Sequence, residues 1–212
     1  MFILKEKYLT VKGMGEAELI EKRSRFIATV TPAQTEEEAI AFINQIKQKY
    51  PDARHNVYAY IIEENNIIRY SDDGEPAGTG GVPVLDFLRK EGLTNIAVVV
   101  TRYFGGILLG TGGLVHAYSS AAKAGVLNAV KTEMLLCRQL FIKCDYTLWG
   151  KVQNELSNFI TAMLAPDYSD IVSLTLYVPI GECERLIKTL TETTNAKAEI
   201  TLGSEEYFAF DA

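Results

Sequence analysis

Five glycines within nine positions, Gly105, Gly106, Gly110, Gly112 and Gly113, follow closely on a continuous apolar run at residues 96–101. This junction constrains the fold more than any other segment. An unbroken apolar run of that length predicts a strand covered on both faces, which places its sheet between two layers. Beyond the glycines, residues 114–130 read as a helix whose small side chains, Ala117, Ala121, Ala122 and Gly125, permit close approach to a sheet. Glycine accepts positive φ and leaves backbone N–H groups uncovered, so a strand, glycine loop and helix in this order can cradle a phosphate at the helix N-terminus. Neither nucleotide fingerprint is complete. Gly106 and Gly110 are not followed by the Lys-Ser/Thr of a P-loop, and Val115 stands where a dinucleotide motif has its third glycine. A tight turn that needs no ligand accounts for the same residues equally well.

The 212 residues exceed the usual single-domain length, and the remaining pattern divides into two α+β units. Residues 16–31 read as one strand or two paired strands. Thr35 and Glu38 form a capping box that opens a helix ending before Pro51. Residues 56–62 and 67–71 predict an antiparallel hairpin, and Pro83 suits the first turn of a short helix reaching Lys90. Residues 131–133 are the best candidate linker, giving expected domains at 1–132 and 133–212. The second half reads strand, helix, strand, helix, strand, with a further strand at 161–165. That is βαββαβ, the ferredoxin-like plan.

Charge is unevenly shared. Residues 1–135 carry 15 Lys+Arg and 16 Asp+Glu, whereas residues 136–212 carry 6 and 11, for net charges of −1 and −5. A polyanion is therefore expected to meet the first half, where Lys22, Arg23, Arg25, Arg54, His55 and Arg102 could gather into a patch beside Tyr58, Tyr60, Tyr103 and Phe104. Dispersed surface charge and core tyrosines are the plainer alternative. Asp72, Asp73 and Glu75 lie within four residues of a Gly/Pro-rich loop. They could hold a hard cation, but the spacing fails the calcium-loop pattern, and turn or helix capping is the better reading. Cys137, Cys144 and Cys183 form no C-x-x-C pair and read as buried thiols. No apolar run approaches the roughly 18 residues of a membrane span, and Lys5, Glu6 and Lys7 give a charged amino terminus, so a cytoplasmic chain is expected. Catalytic templates for serine or zinc hydrolysis are missing, and no cofactor or bound metal follows from the residues.

The strings KRSRFIA (22–28), ARH-x-x-x-AY (53–60), DDGEPAGTGG-x-P (72–83), VVVTRYFGG (98–106) and LGTGGLV-x-AY (109–118) closely resemble the IMPACT family, in its bacterial YigZ-like branch. The likeness covers most of residues 18–126, and the second half resembles the small carboxy-terminal domain of bacterial members. It implies a first domain with the left-handed βαβ fold of certain ribosomal proteins and of domain IV of elongation factor G, followed by a ferredoxin-like domain. In eukaryotes the family is linked to translational control through protein–protein binding. The family pattern points to Arg54, His55, Asp72, Asp73, Glu75, Arg102, Gly105, Gly106, Gly110, Gly112 and Gly113 as its motif residues. Leu108 and His116 stand where that pattern commonly has a basic residue, which subtracts charge from the glycine loop. The implied role is translation-associated binding of RNA, the ribosome or a regulatory protein. The alternatives are a small hydrolase or nucleotide-handling enzyme with a cation at the acidic loop, and a module that binds protein alone.

Overall fold

A computed structural model describes residues 5–210 and divides the chain into two compact units. Strand β1 (Lys7–Val11) comes first. The unit at Leu9–Thr132 is built on a five-stranded sheet of β2 (Gly15–Glu21), β3 (Ser24–Pro32), β4 (His55–Ile62), β5 (Ile67–Ser71) and β6 (Ile96–Tyr103). Their order is β2-β3-β6-β4-β5, with each neighbouring pair antiparallel. Residues 16–31 are thus two paired strands.

Helix α1 (Glu36–Lys49) covers one face of this sheet; α2 (Gly81–Lys90) and α3 (Gly110–Asn128) cover the other. Because strand side chains alternate, β6 supplies both layers. Ala97 and Val99 meet Phe42, Ile43 and Ile46 of α1, while Ile96, Val98 and Val100 meet Leu88 of α2 and Ala117 and Ala121 of α3. Every residue from Ile96 to Val100 is fully buried, and each larger side chain there contributes about 1.5–3 kcal/mol by leaving water. Small residues on α3 have the expected purpose: a Cβ at Gly125 would stand 2.9 Å from Val30 Cγ2.

The capping box forms as well. Thr35 Oγ1 accepts the Glu38 N–H at 3.2 Å, and the Glu38 carboxylate accepts from the backbone of Gln34 at 2.7 Å, one residue earlier than the reciprocal pattern predicts.

Two local expectations change. Helix α3 starts at Gly110 rather than near residue 114, so Gly110, Gly112 and Gly113 form its first turn instead of a loop before it. Poor helix propensity made these glycines read as loop, but the packing of the following turns carries the helix through them. Residues 131–133 are the start of strand β7 (Lys131–Cys144), not an irregular linker.

The second unit comprises residues 133–210 together with residues 5–8, which the expected 1–132 domain had placed in the first. The Lys7 ammonium meets Glu133 at 2.9 Å, and the Leu136 N–H bonds the Glu6 carbonyl at 2.8 Å. After β7 come α4 (Tyr146–Leu156), β8 (Ala162–Met163), β9 (Asp167–Tyr168), β10 (Val172–Pro179), α5 (Ile180–Thr193) and β11 (Glu199–Ala209). The antiparallel path β11-β7-β10-β8 gives the ferredoxin-like arrangement, with β8 and β9 as two short pieces of one edge.

Leu140, Ile142 and Leu176 of the sheet pack against Val152 of α4 and Leu186 and Leu190 of α5. All three cysteines are buried, and burial pushes the Cys137 thiol up to about 11 and raises Cys144 and Cys183 as well. They stay protonated, which disfavours thiolate chemistry. Among the described residues, no helix is long and apolar enough to cross a membrane.

Candidate functional site

The motif residues converge where β6 ends and β3 and β4 begin. The ladders place both Phe26 and His55 opposite Arg102, so these three occupy one row on the face covered by α2 and α3. Arg102 is 6% exposed and donates from Nη1 to Glu75 Oε1 at 2.6 Å. Its guanidinium lies 5.4 Å from the Phe26 ring and 5.6 Å from that of Phe104. The same Glu75 oxygen accepts the Tyr118 hydroxyl at 2.8 Å. Burial, reinforced by the nearby Glu75 charge, pushes the Tyr118 hydroxyl far above the ordinary phenol range, so it remains a donor.

His55 Nδ1 lies 2.9 Å from the Asp73 carbonyl oxygen, which can only accept, so this nitrogen carries the proton. The other nitrogen, Nε2, is 3.9 Å from Glu75 Oε1.

The acidic loop has the capping role that its composition favours. Asp72 accepts N–H groups from Gly78 at 2.8 Å, Gly80 at 3.0 Å and Gly81 at 2.8 Å, holding a carboxylate at the N-terminus of α2. Asp73 accepts the Asn56 N–H at 2.7 Å and pairs with Lys47 at 3.1 Å. With Glu75 committed to Arg102 and Tyr118, each carboxylate has protein partners. No group of three metal-ligating side chains occurs among the described residues.

The six basic residues do not form one patch. Arg102 is buried and paired, so it meets no polyanion at the surface. Arg25 belongs to the opposite face, where Glu18 takes its guanidinium through two bonds of 2.9 and 3.0 Å and Tyr103 lies beneath it at 5.6 Å. Strand alternation separates the two: Arg25 pairs with Tyr103, one residue beyond Arg102. Lys22, Arg23 and Arg54 are exposed and make no ion pair among the described residues. Tyr60 is core, donating its hydroxyl to Glu36 at 2.8 Å, and Tyr58 lies under Lys47. Phe104 is the exposed aromatic ring at this end of the sheet.

Lys22 and Arg23 form the two-residue turn between β2 and β3, with φ of 45° and 68°. Such a turn ordinarily takes Asn-Gly, because both residues must be left-handed. Gly105 braces it: its N–H reaches Ser24 Oγ at 3.2 Å, and a Cβ there would stand 2.0 Å from the Arg23 carbonyl carbon. Close backbone approach, not phosphate binding, explains that glycine. Gly110, by contrast, needs its positive φ of 73° to start α3. A Cβ at Gly112 meets nothing within 4 Å.

Next to this network is a cavity of about 400 Å³. Arg102, Leu114 and Glu75 are its most buried lining residues, Phe104, Leu109 and Leu114 form apolar walls, and Arg54, Gly110 and Thr111 are exposed at its opening. The cavity was not legible as a cavity. Its parts come from residues 54 to 114, and only the grouping of the family-like motifs pointed to it.

A β-rich α+β domain with a buried Arg-Glu-Tyr network, followed by a ferredoxin-like domain, defines a small two-domain class. The Impact N-terminal domain matches residues 22–126, and a domain of unknown function, DUF1949, matches residues 142–197. The chain belongs to the IMPACT family. It is 42% identical over 201 residues to the IMPACT family member YvyE of Bacillus subtilis, covering 94% of this chain and 93% of that protein. Over 182 residues it is 31% identical to the IMPACT family member YigZ of Escherichia coli, covering 84% and 89%. A solved structure described as that of a hypothetical protein matches with a TM-score of 0.60 and 30% identity, over 96% of this chain and all of the other.

Proposed function

We propose that this protein acts by binding, as a translation-associated factor whose first domain contacts RNA, free or on a ribosomal surface. The observation that carries the reading is the group of unpaired cations at one end of the sheet. Lys22 and Arg23 are held at a left-handed hairpin tip, and Arg54 directly precedes the strand that pairs beside Arg102. A turn that places two long cationic side chains in an unfavourable backbone region, braced by Gly105, is costly unless their position matters. Exposed Phe104 offers a stacking surface beside them. The family resemblance supports reading such an interaction as part of translation. The second domain, at −5, is the poorer partner for a polyanion.

The test is the affinity of the full-length protein for a labelled single-stranded RNA across a salt titration. Log affinity should fall linearly with log salt. Lys22→Ala/Arg23→Ala/Arg54→Ala should flatten the slope by about 2, since each phosphate left without its cation on a single strand removes roughly 0.7. Identical slopes for the two proteins would remove these cations from the RNA-binding surface.

A further inference from the structure

The polar end of the cavity beside Arg102 presents two acceptors that the fold leaves unused. We infer that it is a base pocket for an unstacked guanine, read along its Watson–Crick edge; this rests on the RNA binding proposed for the first domain. His55 Nδ1 is committed to the Asp73 carbonyl, which leaves Nε2 of the neutral ring as an acceptor. Glu75 gives its Oε1 to Arg102 and Tyr118, and its Oε2 has no hydrogen bond among the described residues. Among the buried and half-buried side chains described, only Thr94 Oγ1 and Arg102 Nε are at once unbonded and sealed from solvent. His55 Nε2 and Glu75 Oε2, unbonded but not sealed, therefore open on the cavity that both residues line. With side chains only 20% and 3% exposed, they have little other solvent to reach.

A guest at this end must bring two donors side by side. Guanine does, with its N1–H next to the N2 amine. Adenine and cytosine each set one amine beside a ring-nitrogen acceptor, and uracil flanks its single N–H with two carbonyls. Each of these would bury a lone pair against the carboxylate or the imidazole, leaving a polar group unsatisfied. A cationic guest would suit the acceptors, but it must pass Arg54 at the opening and would meet a carboxylate already neutralised by Arg102.

The rest of the cavity suits an aromatic base joined to a phosphate. Its volume of about 400 Å³ falls in the range of small-molecule sites, and Leu109 and Leu114 wall it. Phe104, 46% exposed, offers a ring for stacking, with the Arg102 guanidinium 5.6 Å from its centre. Arg54, free of ion pairs among the described residues, stands at the opening, where the phosphate of an inserted nucleotide would lie.

The experiment measures binding of the full-length protein to an oligouridine carrying one central guanosine, or adenosine or inosine in its place. Guanosine should bind about tenfold tighter than adenosine and about fivefold tighter than inosine, which lacks only the N2 amine. His55→Phe, shown to be folded by its melting curve, should bring the three affinities within about twofold of one another. A second readout needs no variant. The chain has two histidines, so guanosine 5′-monophosphate should move the imidazole NMR signals of His55 and leave those of His116 in place, and adenosine 5′-monophosphate should move neither. Equal affinity for the three RNAs would overturn the guanine pocket while leaving RNA binding intact. A guanosine preference that survives in His55→Phe, or His55 signals that ignore the guanine nucleotide, would overturn the assignment to this cavity. Shifts of His55 by the guanine nucleotide alone, with no retention of any RNA, would support the pocket and defeat the RNA reading.

Discussion

Glu75→Gln should cost the first domain about 3–5 kcal/mol, because it leaves the Arg102 charge buried with its main partner removed. Glutamine keeps the shape and can still accept from Tyr118, so the loss isolates the charge pairing from the packing. The Arg102 and Glu75 side chains are 7% and 3% exposed, too dry for solvent to replace the missing carboxylate. A loss of that size lowers the melting temperature of a domain this large by roughly 10–20 °C. Glu75→Leu combined with Arg102→Met should recover most of it, since a buried pair replaced by apolar groups of similar volume is often neutral. Denaturant unfolding of the wild type, the single variants and the double variant measures both effects. A Glu75→Gln loss below about 1 kcal/mol, the scale of an exposed pair, would mean that water reaches the two side chains.

Gly105→Ala is expected to destabilise by about 3 kcal/mol, at the upper end for overpacking, because the added Cβ meets backbone rather than a movable side chain. It would stand 2.0 Å from the Arg23 carbonyl carbon, 2.2 Å from its oxygen and 2.4 Å from the Ser24 nitrogen. The hairpin tip must then move, carrying Lys22 and Arg23 with it. Gly112→Ala, on the first turn of α3, is the contrast. Its Cβ meets nothing within 4 Å and the residue lies inside the helix, so it should be neutral or stabilise by up to about 1 kcal/mol. Similar losses at both sites would show that the two glycines share one role.

Much of the fold was legible because its signals are local. The continuous burial of β6, the capping box at Thr35 and the βαββαβ order all follow from spacing along the chain. The start of α3 was not legible, because propensity favours loop at Gly110, Gly112 and Gly113 and only tertiary packing reverses it. Nor was the placement of residues 5–8, whose partners, such as Glu133 and Leu136, lie far along the sequence.

The site divides similarly. Capping by Asp72 was readable from a short carboxylate before glycines. The fate of the arginines was not: Arg25 and Arg102 look equivalent in a charge count, yet register sends one to Glu18 in solvent and the other to Glu75 in the interior. The partner that mattered, Tyr118, lay in the motif string 109–118 and carried no chemical signal of its own, since a tyrosine on a small-residue helix reads as core.

RNA should meet the first domain and not the second. Photo-crosslinking of the full-length protein to a 4-thiouridine RNA, followed by peptide mapping, reads this directly. Adducts should fall on peptides containing residues 22–26 and 103–104, around Lys22, Arg23 and Phe104, and should fade with rising salt. Adducts confined to residues 136–210, or a pattern unchanged by salt, would contradict it.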